Sequence, residues 1–232
     1  MTMKTRITRR KFIAQSALGS AGLWLAGIQV NAQPQATSPN DKLDIGVIGV
    51  AGRGGDDLQE VSSQNIVALC DVDEKSLAAA AQKYPQAKTY HDFRQLIDQK
   101  GIDAIVIGTP DHTHAVAAVA GLKSGRHVYC EKPLTRTVSE ARIVTDLAKK
   151  HQRVTQIGTQ IHAGNNYRRV VELIQSGAIG PVREVHVWVG AVYGGMDLPM
   201  EYPPVPPHLH YDLWLGPVPH RPYSPEWVPF KW

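Results

Sequence analysis

From residue 43 onward, short β-rich runs alternate with stretches of helical periodicity, and that alternation restricts the chain to a parallel sheet with helices over both faces. Residues 43–50 predict a first strand, 54–63 a helix and 66–70 a second strand. Asp73 is placed to cap the next helix, whose Leu77, Ala80, Ala81 and Tyr84 share one face. A short strand at 88–90 and a short helix near 93–97 precede residues 104–108, an unbroken apolar run of the kind found where both faces of a sheet are covered. Asp111 predicts the cap of a helix that Gly125 stops, and 127–130 a fifth strand. Thr137 and Glu140 stand at capping-box spacing before a helix with Ala141, Val144 and Ala148 inward, and 153–157 supplies a sixth strand. The expected architecture of 42–157 is a complete α/β doubly wound parallel sheet.

The rhythm changes after Gly158. Tyr167, Val170, Val171 and Ile174 follow helical spacing up to Gly177, and alternation at Val182, Val185, Val187 and Val189 predicts a long strand over 182–189. Ten of the sixteen prolines then fall between Pro199 and Pro229, in a stretch that also carries Trp214, Trp227 and Trp232. So many indoles exclude a polar disordered tail; this is irregular chain that must pack on something. Residues 158–232 are therefore expected to begin a second, α+β domain that is not finished within the 232 residues.

A net charge of +4 and a pI near 9.0 would suggest a polyanionic partner, but the excess sits in the first 32 residues, where Lys4, Arg6, Arg9, Arg10 and Lys11 meet no acid. The remaining 200 residues carry 20 bases against 21 acids, so no nucleic-acid partner is expected. Arg9-Arg10-Lys11-Phe12-Ile13, a moderately apolar stretch over 12–30 and the small-residue pattern Val30-Asn31-Ala32 resemble a cleavable twin-arginine export signal. Residues 1–32 are read as that signal and 33–41 as a linker. The twin-arginine machinery is then a partner and the periplasm the destination. No run approaches the ~20 apolar residues of a membrane helix, so no stable span is expected in the mature form. Cys70 and Cys130 end strands two and five, about 14 Å apart at ~4.8 Å per strand spacing, which predicts two free thiols.

The chemistry gathers at strand ends. Gly49-Val50-Ala51-Gly52-Arg53-Gly54 follows a strand and opens a helix. Aligned as G-x-G-x-x-G, Gly49 makes the turn, Gly54 admits close packing of helix on strand, and Ala51 replaces the glycine that faces a pyrophosphate. The helix N-terminus supplies free N–H donors to the phosphates, and Arg53 is expected around the cofactor. Asp71 ends strand two, 22 residues after Gly49, where a carboxylate accepts ribose hydroxyls and repels a 2′-phosphate. NAD is thus expected over NADP in a Rossmann domain. Thr109-Pro110 and Glu131-Lys132-Pro133 end strands four and five at the same edge. Lys132 can stabilise an alkoxide or relay a hydroxyl proton. His112-x-His114 and His208-x-His210 have no further ligands at local spacing, so no metal is expected.

The motifs I-G-V-A-G-R-G, C-D-V-D, G-T-P-D-H-T-H, C-E-K-P-L, G-T-Q-I-H and D-L-W-L-G-P together resemble the Gfo/Idh/MocA family, from about residue 43 to the end, with E-K-P the most specific element. The resemblance implies that Lys132 contacts the hydroxyl being oxidised, that Glu131 lies beside the nicotinamide, and that Thr109, Pro110 and His114 line the cofactor. It places Gln160 and His162 on the substrate side, although an arginine is frequent at the position of His162. Family members continue to an Asp and a His that complete the catalytic set and to a large open sheet. A chain ending at Trp232 is therefore expected to be C-terminally truncated, and to hold NAD without turning it over. The implied activity is hydride transfer from a sugar, cyclitol or sugar derivative to tightly bound nicotinamide. The alternatives are an NAD-dependent redox-elimination glycosidase and a non-catalytic nucleotide-binding remnant. A homo-oligomer is expected if the second domain is complete.

Overall fold

A computed structural model describes residues 42–190 and 199–228. The expected export signal, the linker and Trp232 lie outside the described residues. Six strands, β1 (Asp44–Ile48), β2 (Asn65–Cys70), β3 (Lys88–Tyr90), β4 (Ala104–Ile107), β5 (His127–Glu131) and β6 (Thr155–Gly158), form one sheet in the order β3-β2-β1-β4-β5-β6. Every pairing is parallel, as the alternation of strand and helix demands. The helices between them are α1 (Gly52–Glu60), α2 (Glu74–Lys83), α3 (Phe93–Asp98), α4 (Asp111–Lys123) and α5 (Val138–His151). This is the Rossmann arrangement, and the strand order reverses between β1 and β4.

Both faces are packed, which is why the central strands are apolar throughout. On β4, Ile105 and Ile107 join a layer with Leu96, Ala118, Leu122, Val128 and Val144, while Val106 turns to the opposite layer with Val47, Leu58, Leu69 and Leu77. The helix ends follow local chemistry. Asp73 accepts from the backbone N–H groups of Lys75 and Ser76 at the start of α2. Thr137 and Glu140 close a reciprocal capping box at α5. Asp111 is the first residue of α4 rather than its cap; Pro110 holds that position and offers no side-chain bond.

Beyond β6, a 3-10 turn (Gln160–Ala163) leads into α6 (Asn165–Gln175), which Gly177 terminates with a positive φ. The strand expected over 182–189 is not formed: those residues pair with no other strand among the described residues, and Val185, Val187 and Val189 are 74%, 82% and 80% exposed. Alternation alone cannot make a strand where there is no ladder to join. The proline-rich arm does pack. Leu209, Tyr211, Trp214, Leu215 and Trp227 form a small core around α7 (Tyr211–Leu215) with Val72, just past β2, at its border. His112 of α4 bonds the Trp214 carbonyl oxygen through Nε2 at 2.7 Å.

Candidate active site

Three glycines bring α1 onto the sheet. Gly49 sits at φ +83°, and a Cβ there would lie 2.7 Å from the Gly108 carbonyl oxygen. A Cβ on Gly54 would strike the Gly49 carbonyl, and one on Gly108 would strike Gly54 in return. With the helix held this close, its N-terminus opens at the carboxyl edge. Ala51 at the N-cap provides no side-chain bond, and no group among the described residues accepts from the N–H of Gly52, Arg53 or Gly54. Those free donors and the helix dipole fit a diphosphate. The Ala51 methyl is exposed and does not close the loop.

Asp71 fits the sugar end of such a ligand. Its Oδ2 accepts the Val50 N–H and its Oδ1 the Asp73 N–H, both at 2.9 Å. Burial pushes this carboxyl up while the backbone bonds pull it down. A carboxylate with about four acceptor sites keeps two for ribose hydroxyls after these bonds. The same side chain therefore shapes the glycine-rich loop and keeps acceptor capacity at the carboxyl edge.

The other end of the edge is organised around Glu131, which is 3% exposed at the end of β5. Its Oε1 accepts from Tyr129 Oη at 2.9 Å and from Gln160 Nε2 at 2.6 Å, and Arg53 Nε approaches it to 3.4 Å. Glu131 pairs across the ladder with Gly158, where a Cβ would collide with the carboxylate. Lys132, the next residue, is exposed. Among the described residues its ammonium forms no ion pair. One residue anchors and the following one is free to meet a ligand.

Thr109 and Pro110 make the turn after β4, with Thr113 Oγ1 2.8 Å from Thr109 Oγ1 and 2.9 Å from the Pro110 carbonyl oxygen. His114 is 1% exposed and bridges this turn to the next, its Nε2 2.8 Å from the Thr109 oxygen and its Nδ1 2.6 Å from the Pro133 oxygen. Its place is beneath the two turns, which it ties together, rather than on an open surface. Gln160 is brought to Glu131, whereas His162 is exposed and packs its ring 5.0 Å from that of Tyr167.

Sequence reasoning missed Asp57 and Tyr129. Asp57 is buried in α1 and accepts Arg53 Nη2 at 2.9 Å, so Arg53 spans two carboxylates, one on α1 and one on β5. The signal was the i, i+4 spacing of Arg53 and Asp57 in the helix that opens the loop. Burial first and the Glu131 charge second push the Asp57 carboxyl up to about 6, against the pull of Arg53. The folded chain then holds a proton that the unfolded chain has lost, so stability falls as pH rises between about 4 and 6. Asp57→Asn is expected to flatten that slope, read as urea midpoints across the window; Asp71 contributes with the same sign and stays in place. A slope unchanged by the substitution would contradict this placement. The two thiols are free and buried, and burial pushes Cys130 up to about 12 and Cys70 higher, so neither is a nucleophile here.

Residues 43–159 match the oxidoreductase family described as Gfo/Idh/MocA, with an NAD-binding Rossmann fold. Inositol 2-dehydrogenase from Salmonella paratyphi B is 33% identical over 163 residues, covering 68% of this chain and 48% of its own. An alpha-N-acetylgalactosaminidase from Shewanella oneidensis is 26% identical over 201 residues, covering 75% of this chain and 44% of its own. The chain thus spans about half the length of the curated relatives it matches. Among solved structures, myo-inositol 2-dehydrogenase from Lactobacillus plantarum superposes with a TM-score of 0.57 at 26% identity, over 60% of this chain and 42% of that one.

Proposed function

Because this chain belongs to the Gfo/Idh/MocA oxidoreductase family with its NAD-binding Rossmann fold, we propose that the protein takes hydride from a carbinol carbon of a cyclitol, sugar or sugar derivative. The observation that carries this reading is the end of β5, where a buried Glu131 fixed by Tyr129 and Gln160 is followed at once by an exposed Lys132. NAD, when bound, supplies the hydride acceptor. The chain's own residues do the rest. Gly49, Gly54 and the α1 N-terminus hold the diphosphate with Arg53, and Asp71 holds the adenosine ribose. Lys132 donates to the substrate hydroxyl, so that negative charge forms on oxygen as the C–H bond weakens, and it is placed to relay the proton. The inositol 2-dehydrogenase relatives support a cyclitol or related polyol. The test is NADH absorbance with the protein expressed from its full gene against a panel of inositol isomers and sugars. Binding of NAD with no reduction by any of them would sink the dehydrogenase reading.

The cofactor preference rests on Asp71. Asp71→Asn is expected to narrow the ratio of NAD to NADP affinity by about tenfold or more, a change of 1.4 kcal/mol, because a 2′-phosphate no longer faces a carboxylate. Asn keeps an oxygen for one of the backbone donors, which Ala would not. Equal affinities in the unmutated protein, by fluorescence titration, would reject the assignment.

A second reading is favoured by the reach of the glycosidase relatives, which match more of this chain than the dehydrogenase does. In it, a sugar carbinol carbon would give up hydride, and the carbon beside the new carbonyl would lose a proton as the aglycone departs. Water would add to the resulting double bond and the hydride would return, so that the net reaction is hydrolysis and NAD ends oxidised. Release of free sugar from an aryl glycoside with no net NADH would select it. We also propose that the Arg9-Arg10 segment exports the folded protein with its cofactor aboard, that 42–157 is the cofactor domain and that 158–232 belongs to the substrate domain. A cofactor carried across the membrane must be reoxidised in place, which suits either a two-substrate exchange or the redox-neutral cycle.

A further inference from the structure

Away from Lys132, a second group of polar side chains converges where the arm meets the sheet. Glu74 opens α2, His91 follows β3 and His210 precedes α7, and one donor atom from each lies within 4.8 Å of the other two. We infer that Glu74, His91 and His210 bind a divalent cation of the zinc class, which clips the proline-rich arm to the carboxyl edge of the sheet.

The geometry supports a ligand set more than an ion pair. His210 Nε2 lies 3.3 Å from Glu74 Oε1, yet this nitrogen is buried and makes no hydrogen bond. The His91 and His210 rings lie with centroids 4.3 Å apart and planes 30° from parallel, which sets the two imidazoles side by side next to Glu74. His91 Nδ1 is 3.2 Å from the Asp71 carbonyl oxygen. Donation from Nδ1 to that oxygen leaves the Nε2 lone pair uncommitted, and a ligating imidazole is oriented in the same way by a carbonyl behind it.

The main chain has already brought these elements together. Glu74 N–H donates to the His208 carbonyl and His210 N–H to the Val72 carbonyl, both at 2.9 Å, and Asp73 and Leu209 form an antiparallel bridge between them. His208 Nε2 stands 3.8 Å from Asp73 Oδ2 beside the cluster. Two imidazoles and one carboxylate suit zinc, nickel or cobalt, whereas calcium and magnesium favour all-oxygen shells. Three protein ligands leave a position for water. The local spacing of His208-x-His210 gave no hint of this site, because the partners come from segments far away in sequence.

The experiment uses the tag-free full chain, stripped with chelator and titrated with Zn²⁺ by calorimetry and with Co²⁺ by visible absorption. One equivalent is expected to bind, with a Co²⁺ spectrum of nitrogen and oxygen ligation and no thiolate band. His91→Ala, His210→Ala and the exposed-site variant Glu74→Gln should each weaken binding by about tenfold or more. His151→Ala, on α5, should leave it unchanged. Zn²⁺ should raise the melting midpoint of the unmutated protein and not that of His210→Ala, and far-UV circular dichroism reports whether each variant is folded. Failure to bind one equivalent, or affinity that survives Glu74→Gln and His91→Ala in folded protein, would overturn the site.

Discussion

Lys132→Ala is expected to lower kcat for polyol oxidation by about 10²–10⁴-fold while NAD affinity stays within about twofold. The separation follows from how the two neighbours at the end of β5 are used. Glu131 is buried and held by side chains from β5 and the 3-10 turn, so altering it disturbs the fold as well as the site. Lys132 is exposed and holds no ion pair among the described residues, so truncating its side chain leaves the sheet edge and the glycine-rich loop unchanged. On the proposed mechanism, the substitution removes a cation beside the hydroxyl at the moment charge forms on its oxygen. Lys132→Arg keeps the charge but changes its shape and reach, and it should recover binding of substrate more than turnover. Steady-state kinetics of the protein expressed from its full gene, set beside NAD titrations of each variant, make the comparison. Turnover that survives Lys132→Ala would show that another group does this work.

Gly54→Ala is expected to cost about 3 kcal/mol or more, a fall in Tm of roughly 6–12 °C, and to abolish NAD binding in what remains folded. The new Cβ would meet the Gly49 carbonyl and lie 2.9 Å from the Gly108 oxygen, and all of these neighbours are backbone. No flexible side chain can yield, so helix α1 must lift from β1 and β4 and carry its N-terminus away from the edge. Gly52→Ala provides the contrast. That residue lies at φ +52° with no atom within 4 Å of the added carbon, so only the left-handed backbone is penalised, at about 1–2 kcal/mol. Thermal unfolding of the two variants side by side separates contact from conformation. Equal stability for both would contradict the close approach at Gly54.

Much of this architecture could be read in the sequence because its signals are local. Apolar runs over 43–50 and 104–108 gave the central strands, Thr137 with Glu140 gave a helix start, and Asp71 after β2 marked a carboxylate that the structure ties to the glycine-rich loop. Where the outcome depended on distant chain, reading failed. The Val182 to Val189 alternation had the period of a strand without a ladder beside it. Nothing around His114 in the sequence told of its depth beneath two turns, which depends on the packing of α4 over β4 and β5. Gln160 and His162 are two residues apart, and the short 3-10 turn sends one to Glu131 and the other toward Tyr167. Asp57 carried no motif, yet the fold buries it beneath the arginine that links α1 to β5.

Hydride transfer at this edge is tested most directly by isotope. The NAD-loaded protein from the full gene is mixed with cyclitols and sugars deuterated at each carbinol carbon, quenched within a single turnover, and its cofactor weighed by mass spectrometry. Reduced cofactor carrying deuterium from one carbon of one substrate class is expected, with the label absent in Lys132→Ala. Cofactor that stays oxidised and unlabelled with every substrate, in protein that still binds NAD, would contradict it.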